Sequence, residues 1–338
     1  MGVVNSYVDR LFDLLLQAFE LRELGLSILE DSLWFIDKII EKTTNQEEKE
    51  AFNLIRHSAS SWMESLKVQR SLGEVKGLSP LEITYWKKAA KIFSVLKNEN
   101  LAELTLAISK LREAEDSLLV NDPERAITQY SEAEETLEKL GKKAALTARR
   151  RRLNIQAEIL YTRQEFEKAA ELYFQIAEIL EKTGFQAKEP ALIRAHELLV
   201  LHEGNKENWK KVSEHQMKIS QLLRDLGQEK KAFIAEYYAY SASARSAEEQ
   251  KEWELAAKNH LKASELLQKI GSTVSALYAK LNYHICREKA ANKSPKWLEE
   301  AEKLVEEART QIGRDPKDLE SKVKEFLSTI EQENPNEN

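Results

Sequence analysis

Apolar and charged positions alternate along most of this chain with the period of a helix. In the stretch from Asp122 to Gly141, Ala126, Tyr130, Ala133 and Leu137 stand among charged and polar residues. Steps of four, three and four keep such positions on one face of a 3.6-residue helix. The same pattern returns at Ala169, Tyr173, Ile176 and Leu180, then at Val212, Gln216, Ile219 and Leu223. It returns once more at Ala256, His260, Ala263 and Leu267. Each stretch closes on a glycine: Gly141, Gly184, Gly227 and Gly271, at steps of 43, 43 and 44 residues. Glycine suits the left-handed position just past a helix end. A fixed period of this length means stacked supersecondary units.

Within a unit, small residues at the first and third positions let another helix come close. The aromatic between them fills the remaining space. Twelve residues upstream stand Ala114, Ala157, Val200 and Ala244, and Phe166, Trp209 and Trp253 stand three residues upstream. This small-x3-aromatic-x2-small spacing resembles the second helix of the tetratricopeptide repeat. The upstream residues match the small residue that the family places where its two helices cross. Val200 and Gln216 depart from the pattern and mark the third unit as degenerate. The resemblance covers roughly residues 101–313. A tetratricopeptide unit has about 34 residues; the extra length here amounts to roughly one turn on each helix. The soluble NSF attachment proteins are similar in having such long helices. HEAT repeats have the right period, about 40–47 residues, but lack the motif and rank second. The resemblance implies an all-α fold, a right-handed α-solenoid of antiparallel helix pairs with an N-terminal helical hairpin.

Upstream of the repeats, residues 3–42 read as one long helix or two abutting ones, with Gly25 as the kink. Tyr7, Leu11, Leu14, Leu15, Ala18, Ile36 and Ile40 belong to its wide apolar stripe. That stripe suits a helix buried in an N-terminal bundle; the sharper readings are a dimer surface or a membrane-leaning helix. A second helix spans 46–71, and the glycines of the 71–77 loop mark the best internal boundary. Ser79-Pro80 with Glu82 forms a capping box with Pro at the first helical position. The same device recurs at Asp122-Pro123, Ser294-Pro295 and Asp315-Pro316. Trp86, Ala89, Phe93 and Leu96 make a worn copy of the repeat signature. Paired helices then follow at 101–120 with 123–140, 143–163 with 166–183, 190–203 with 207–226, 229–250 with 252–270, and 273–292 with 295–312. A helix at 316–331 caps the array. The expected domains are a hairpin at 1–77, a repeat array at 78–331 and a disordered tail at 332–338.

Composition narrows the function. Charged residues are 32% of 338, with only 10 Gly and 6 Pro, which favours long, salt-bridge-laced helices over strands. The abundant Lys and Glu also suit a thermophile. A net charge of −6 argues against wholesale nucleic-acid binding. The single cysteine, Cys286, excludes an internal disulfide framework and fits a reducing, cytoplasmic setting. No signal-peptide pattern is visible, although Met1-Gly2 with Ser6 matches the myristoylation pattern. No apolar run approaches the ~18 residues of a membrane span.

Motifs for chemistry are missing. Neither a GxGxxG nor a GxxxxGK[ST] loop occurs, and none of His57, His196, His202, His215, His260 and His284 lies in an HExxH. His260 sits in the aromatic slot of its unit and reads as a packing residue. Cys286 reads as a small core residue. Pairs such as Glu134-Glu135 read as solvated surface. The expectation is a protein without catalytic residues, cofactor or metal.

The one charge run is Arg149 to Arg152. Four consecutive residues point in four directions on a helix, so the run reads either as surface paired with nearby Glu or as one or two arginines lining a groove. The family resemblance implies that first helices line a concave face. Its groove register falls on Arg151, Asn154 and Glu158, on Arg194, Glu197 and Leu201, and on Tyr238, Ser241 and Arg245. Arg151 and Asn154 resemble residues that clamp a carboxylate in some family members. The expected partner is therefore a protein or peptide, favoured if acidic, unless Glu158, Glu197 and Glu248 neutralise the wall. The expected function is a non-enzymatic interaction scaffold or adaptor that holds a peptide or helical partner. The alternatives are a membrane-associated adaptor similar to soluble NSF attachment proteins, acting through the N-terminal helices, and a regulatory nucleic-acid-linked protein using the arginine run. The oligomeric state stays open.

Overall fold

The computed structural model describes residues 2–21, 24–72, 80–184, 187–292, 296–311 and 317–333. Among them there are fifteen helices and no strand. The first seven are α1 (Gly2–Glu20), α2 (Gly25–Lys42), α3 (Gln46–Leu72), α4 (Pro80–Val95), α5 (Glu99–Leu119), α6 (Pro123–Lys139) and α7 (Ala144–Thr162). Then come α8 (Phe166–Thr183), α9 (Glu189–Asn205), α10 (Trp209–Asp225), α11 (Glu229–Glu249) and α12 (Trp253–Lys269). The last are α13 (Thr273–Ala290), α14 (Lys296–Gln311) and α15 (Lys317–Glu333). The chain divides into two compact units, Met1–Ile159 with Glu178–Gln186, and Leu160–Ala177 with Ala187–Asn338.

The first unit stacks its helices in chain order, α1 on α2, α2 on α3, and so on to α6. Short turns make neighbours antiparallel. One continuous core includes Leu11, Phe12, Leu29, Phe52, Trp86 and Tyr130, all fully buried. Residues 3–42 take the second of their two readings, as helices α1 and α2 with α2 starting at Gly25 and folded back on α1, so the N-terminal segment holds three helices, one more than a hairpin. The boundary at residue 77 does not divide the core, because α3 and α4 share it. The stripe of α1 is spent inside this unit: Leu11, Leu14, Leu15 and Ala18 are buried. Among the described residues no helix is long and apolar enough to cross a membrane.

The second unit continues the same way. Helices α9 to α13 pack each on the next, and α13 carries α14 and α15. The repeat register holds in both units. Ala126, Tyr130, Ala133 and Leu137 are fully buried in the first, and Ala169, Ala256 and Ala263 are buried in the second. The upstream partners Ala114, Ala157 and Ala244 are fully buried as well. Small side chains at these crossings allow the close interaxial approach that stacking needs.

Ten helix ends follow one of two recipes. Gly141, Gly184, Gly227 and Gly271 take positive φ of 64°, 66°, 70° and 81°. A Cβ there would meet nothing within 4 Å, so the backbone conformation, not space, demands glycine. Helices α4, α5, α7, α9, α11 and α13 instead end on Lys97, Asn121, Gln164, Glu207, Lys251 and Asn292, with φ between 51° and 61°. The next amide closes the turn, as when Asp122 N–H donates to the Ser117 carbonyl at 2.8 Å. Asp122 then caps α6, its side chain accepting from Arg125 N–H at 3.1 Å, with Pro123 in the first turn. Ser79, Ser294-Pro295, Asp315-Pro316, the glycines of the 71–77 loop and most of the tail lie outside the described residues.

Candidate functional site

The expected groove residues separate into those the fold consumes and those it presents. In the first unit, Arg151 is consumed. Its Nη1 donates to Glu115 Oε1 at 2.8 Å and its Nη2 to the Phe19 carbonyl at 2.7 Å. Its guanidinium lies 4.1 Å over the Phe19 ring. With its side chain only 14% exposed, both arms of its fork are occupied, which corrects the reading of Arg151 as a clamp for a ligand carboxylate. Asn154 and Glu158 are exposed on the same helix. The rest of the run also pairs internally. Arg149 reaches Glu134 at 2.5 Å and Glu138 at 2.6 Å, and Arg152 reaches Glu134 at 3.0 Å. Glu134, read as solvated, is instead buried between them.

In the second unit, Arg194 lies 4.9 Å over the Tyr161 ring and pairs with Glu197 at 3.4 Å, one turn along its own helix. Leu201 is exposed. Ser241 and Arg245 line a half-open cavity of about 790 Å³ whose wall is drawn from α11 to α15. Tyr238, expected beside them, is 52% exposed, and its neighbour Tyr237 lines the cavity instead. Residues 237, 241, 245 and 248 are spaced by four, four and three and form one face of α11. The opposite side of α11 is alanine-rich, with Ala232, Ala235, Ala239 and Ala247 buried against neighbouring helices, and this packing sets the rotation.

The cavity wall mixes apolar side chains, among them Val274, Val305 and Leu319, with charged and polar ones. Arg245 stacks at 3.8 Å on the Trp209 ring and touches Glu249 only at 3.8 Å. Arg309 enters from α14 and pairs with Glu306 at 3.4 Å on its own helix. Both guanidiniums stay largely exposed. From α13 come Tyr278 and Asn282. The Tyr278 hydroxyl is buried without a hydrogen-bond partner among the described residues. Burial, aided by Glu307 and Glu320, pushes its pKa up, so it remains a neutral donor.

Deeper in the wall, Glu248 Oε1 lies 2.7 Å from His260 Nε2 and accepts a hydrogen bond from Cys286 Sγ at 3.5 Å. Burial alone would push the Glu248 carboxyl up. His260, Cys286 and Arg309 together outweigh it and hold the carboxyl below its usual value. Burial and the adjacent carboxylate push the Cys286 thiol up to about 12. A thiol so protonated is a poor nucleophile. Sequence reasoning missed this cluster, and its one signal was His260 in a slot that holds tyrosine in two other units.

No family model matches the chain, and no curated protein matches it either. Among solved structures it is similar to a signal-transduction ATPase with numerous domains, carrying a tetratricopeptide-repeat sensor, from Pyrococcus horikoshii. The two are 16% identical with a TM-score of 0.36, over 91% of this chain and 49% of that one. The chain thus spans about half the length of that protein.

Proposed function

We propose that this protein is a non-enzymatic interaction scaffold whose second unit binds an acidic peptide segment in the cavity beside α11. The supporting observation is that Arg245 and Arg309 line the same cavity as a Tyr278 hydroxyl that has no hydrogen-bond partner among the described residues. Guanidinium forks grip carboxylates bidentately, and a concave wall concentrates their field. The volume suits a few side chains of an extended segment rather than a whole helix. The tandem helix pairs support a scaffold role in general, since such arrays offer long surfaces for partners. The protonated thiol of Cys286 speaks against it as a nucleophile. The single cysteine is in keeping with a cytoplasmic setting.

The test uses fluorescently labelled peptide pools, one acidic and one basic, each with free or amidated C-termini. Acidic peptides bind the full-length protein, and Arg245→Glu with Arg309→Glu abolishes the binding while leaving the helical spectrum unchanged. Equal binding of the basic pool, or unchanged affinity in the folded double variant, would overturn the reading.

A further inference from the structure

Three side chains from three consecutive helices converge beside the cavity, Cys286 among them at the edge of a small apolar cluster with Ala247, Ala256 and Ala257. Glu248 lies near the end of α11, His260 in the middle of α12 and Cys286 near the end of α13. Their ligand atoms all lie within 4.8 Å of one another. This is the only such group of three among the described residues. His260 occupies the slot that Tyr130 and Tyr173 fill in other units, so a packing aromatic was exchanged for an imidazole at this one crossing. A thiol, an imidazole and a carboxylate are the three donor types that zinc takes.

We propose that Glu248, His260 and Cys286 bind one Zn²⁺ ion, with a fourth position open to the cavity. Two of the three ligand-atom separations can be compared with what the ion needs, and the third, from His260 to Cys286, is within 4.8 Å. With bonds of about 2.0–2.3 Å, a tetrahedral zinc site sets its ligand atoms roughly 3.3–3.6 Å apart. The Sγ to Oε1 distance of 3.5 Å already fits. The Nε2 to Oε1 distance of 2.7 Å must open by about half an ångström. The Glu248 side chain, 34% exposed, has room to swing, whereas His260 at 12% is held in place. Cys286 is 2% exposed, so its sulfur meets neighbouring side chains rather than bulk solvent.

Coordination replaces two hydrogen bonds. The proton on Cys286 Sγ leaves to solvent, His260 Nε2 offers its lone pair with the ring proton on Nδ1, and Glu248 turns from acceptor to ligand. A divalent cation inverts the field that keeps the thiol protonated, and a coordinating thiol is deprotonated outright. Three protein ligands and an open position facing a cavity match zinc sites that take an exogenous ligand rather than closed structural ones. The proposal stands independently of the acidic-peptide reading, because its ligands and its test involve no peptide.

The experiment is titration of metal-stripped full-length protein with Co²⁺, a spectroscopic stand-in for Zn²⁺. One equivalent should produce a thiolate-to-cobalt charge-transfer band with d–d bands of tetrahedral intensity, and Zn²⁺ should bleach both. The chain has one cysteine, so a thiolate band reports this site or none. His260→Ala and Glu248→Gln should each weaken Co²⁺ binding at least tenfold, and Cys286→Ser should abolish the charge-transfer band. X-ray absorption of the zinc-loaded parent should give one sulfur and otherwise nitrogen or oxygen neighbours, a reading independent of whether the variants fold. Absence of the band in the parent, retention of full affinity in a folded His260→Ala, or a zinc shell without sulfur would overturn the proposal and leave a hydrogen-bonded triad.

Discussion

Arg151 and Glu115 meet at 2.8 Å across α7 and α5, and that pair is the outer end of a buried ion chain. Arg112 reaches the same Glu115 and also Glu82, at 2.8 Å, on α4. Arg112 lies 4.4 Å over Trp62 of α3, and Arg151 covers Phe19 of α1. Charges taken from water in this way need their partners, because an uncompensated buried ion is expensive.

Removing one partner is therefore expected to cost more than removing two. Burial already pushes the Glu82 carboxyl up, against the pull of Arg112. Arg112→Leu should lower unfolding free energy by about 3–5 kcal/mol. Arg112→Leu combined with Glu82→Leu should recover a large part of the loss. Denaturant midpoints of the two variants decide this; a double variant that loses as much as Arg112→Leu, or more, would contradict it.

The crossing alanines should not tolerate bulk. Ala169 and Ala256 are fully buried, one at each of two repeats. Phenylalanine at either position should cost roughly 1–3 kcal/mol through overpacking. Thermal unfolding that matches the parent in both variants would contradict the register.

Acid should weaken the second unit through two histidines. The rings of His196 and His215 stack at 5.3 Å, and Phe174 packs edge-on against His196. Burial, then His215 and Lys218, push His196 down to about 4. Burial and Lys218 also push His215 down, against Glu203 and Glu214. Both rings are thus neutral in the fold, while unfolded histidine protonates near its ordinary value. Stability from His196 is present above about pH 6.5 and falls as pH drops toward 4, by at most about 3 kcal/mol. Below that the slope vanishes. Urea unfolding at pH 7, 5.5 and 4.5 should show the decline, and His196→Phe should flatten it.

Tyr278→Phe separates stability from binding. The hydroxyl it deletes is buried and has no partner among the described residues. The variant should match the parent or gain about 1 kcal/mol, yet bind the acidic peptide pool several-fold more weakly. A variant that loses stability would show that the hydroxyl is satisfied within the protein.

The sequence by itself determined the helices, their order and the residues at their crossings. Those features are local: a period of 3.6 along the chain, a small residue twelve positions ahead of another, a glycine where φ turns positive. Four helix ends were legible for that reason, since a glycine such as Gly141 announces its conformation. Lys97, Gln164 and Glu207 adopt the same left-handed turn, closed by the next amide on the helix behind it, and their side chains do not announce it.

What faces what was decided by tertiary structure. Arg151 had the right register for a groove, but folding brings it Glu115 from 36 positions away and Phe19 from 132. Tyr238 and Tyr237 differ by about 100° on a helix, so the alanine face of α11 pressing on its neighbours chose which one meets the cavity. Glu248, His260 and Cys286 come from three separate helices. Periodicity reports which side of each helix is buried, and only the packing of one helix on the next brings a carboxylate, an imidazole and a thiol within bonding reach.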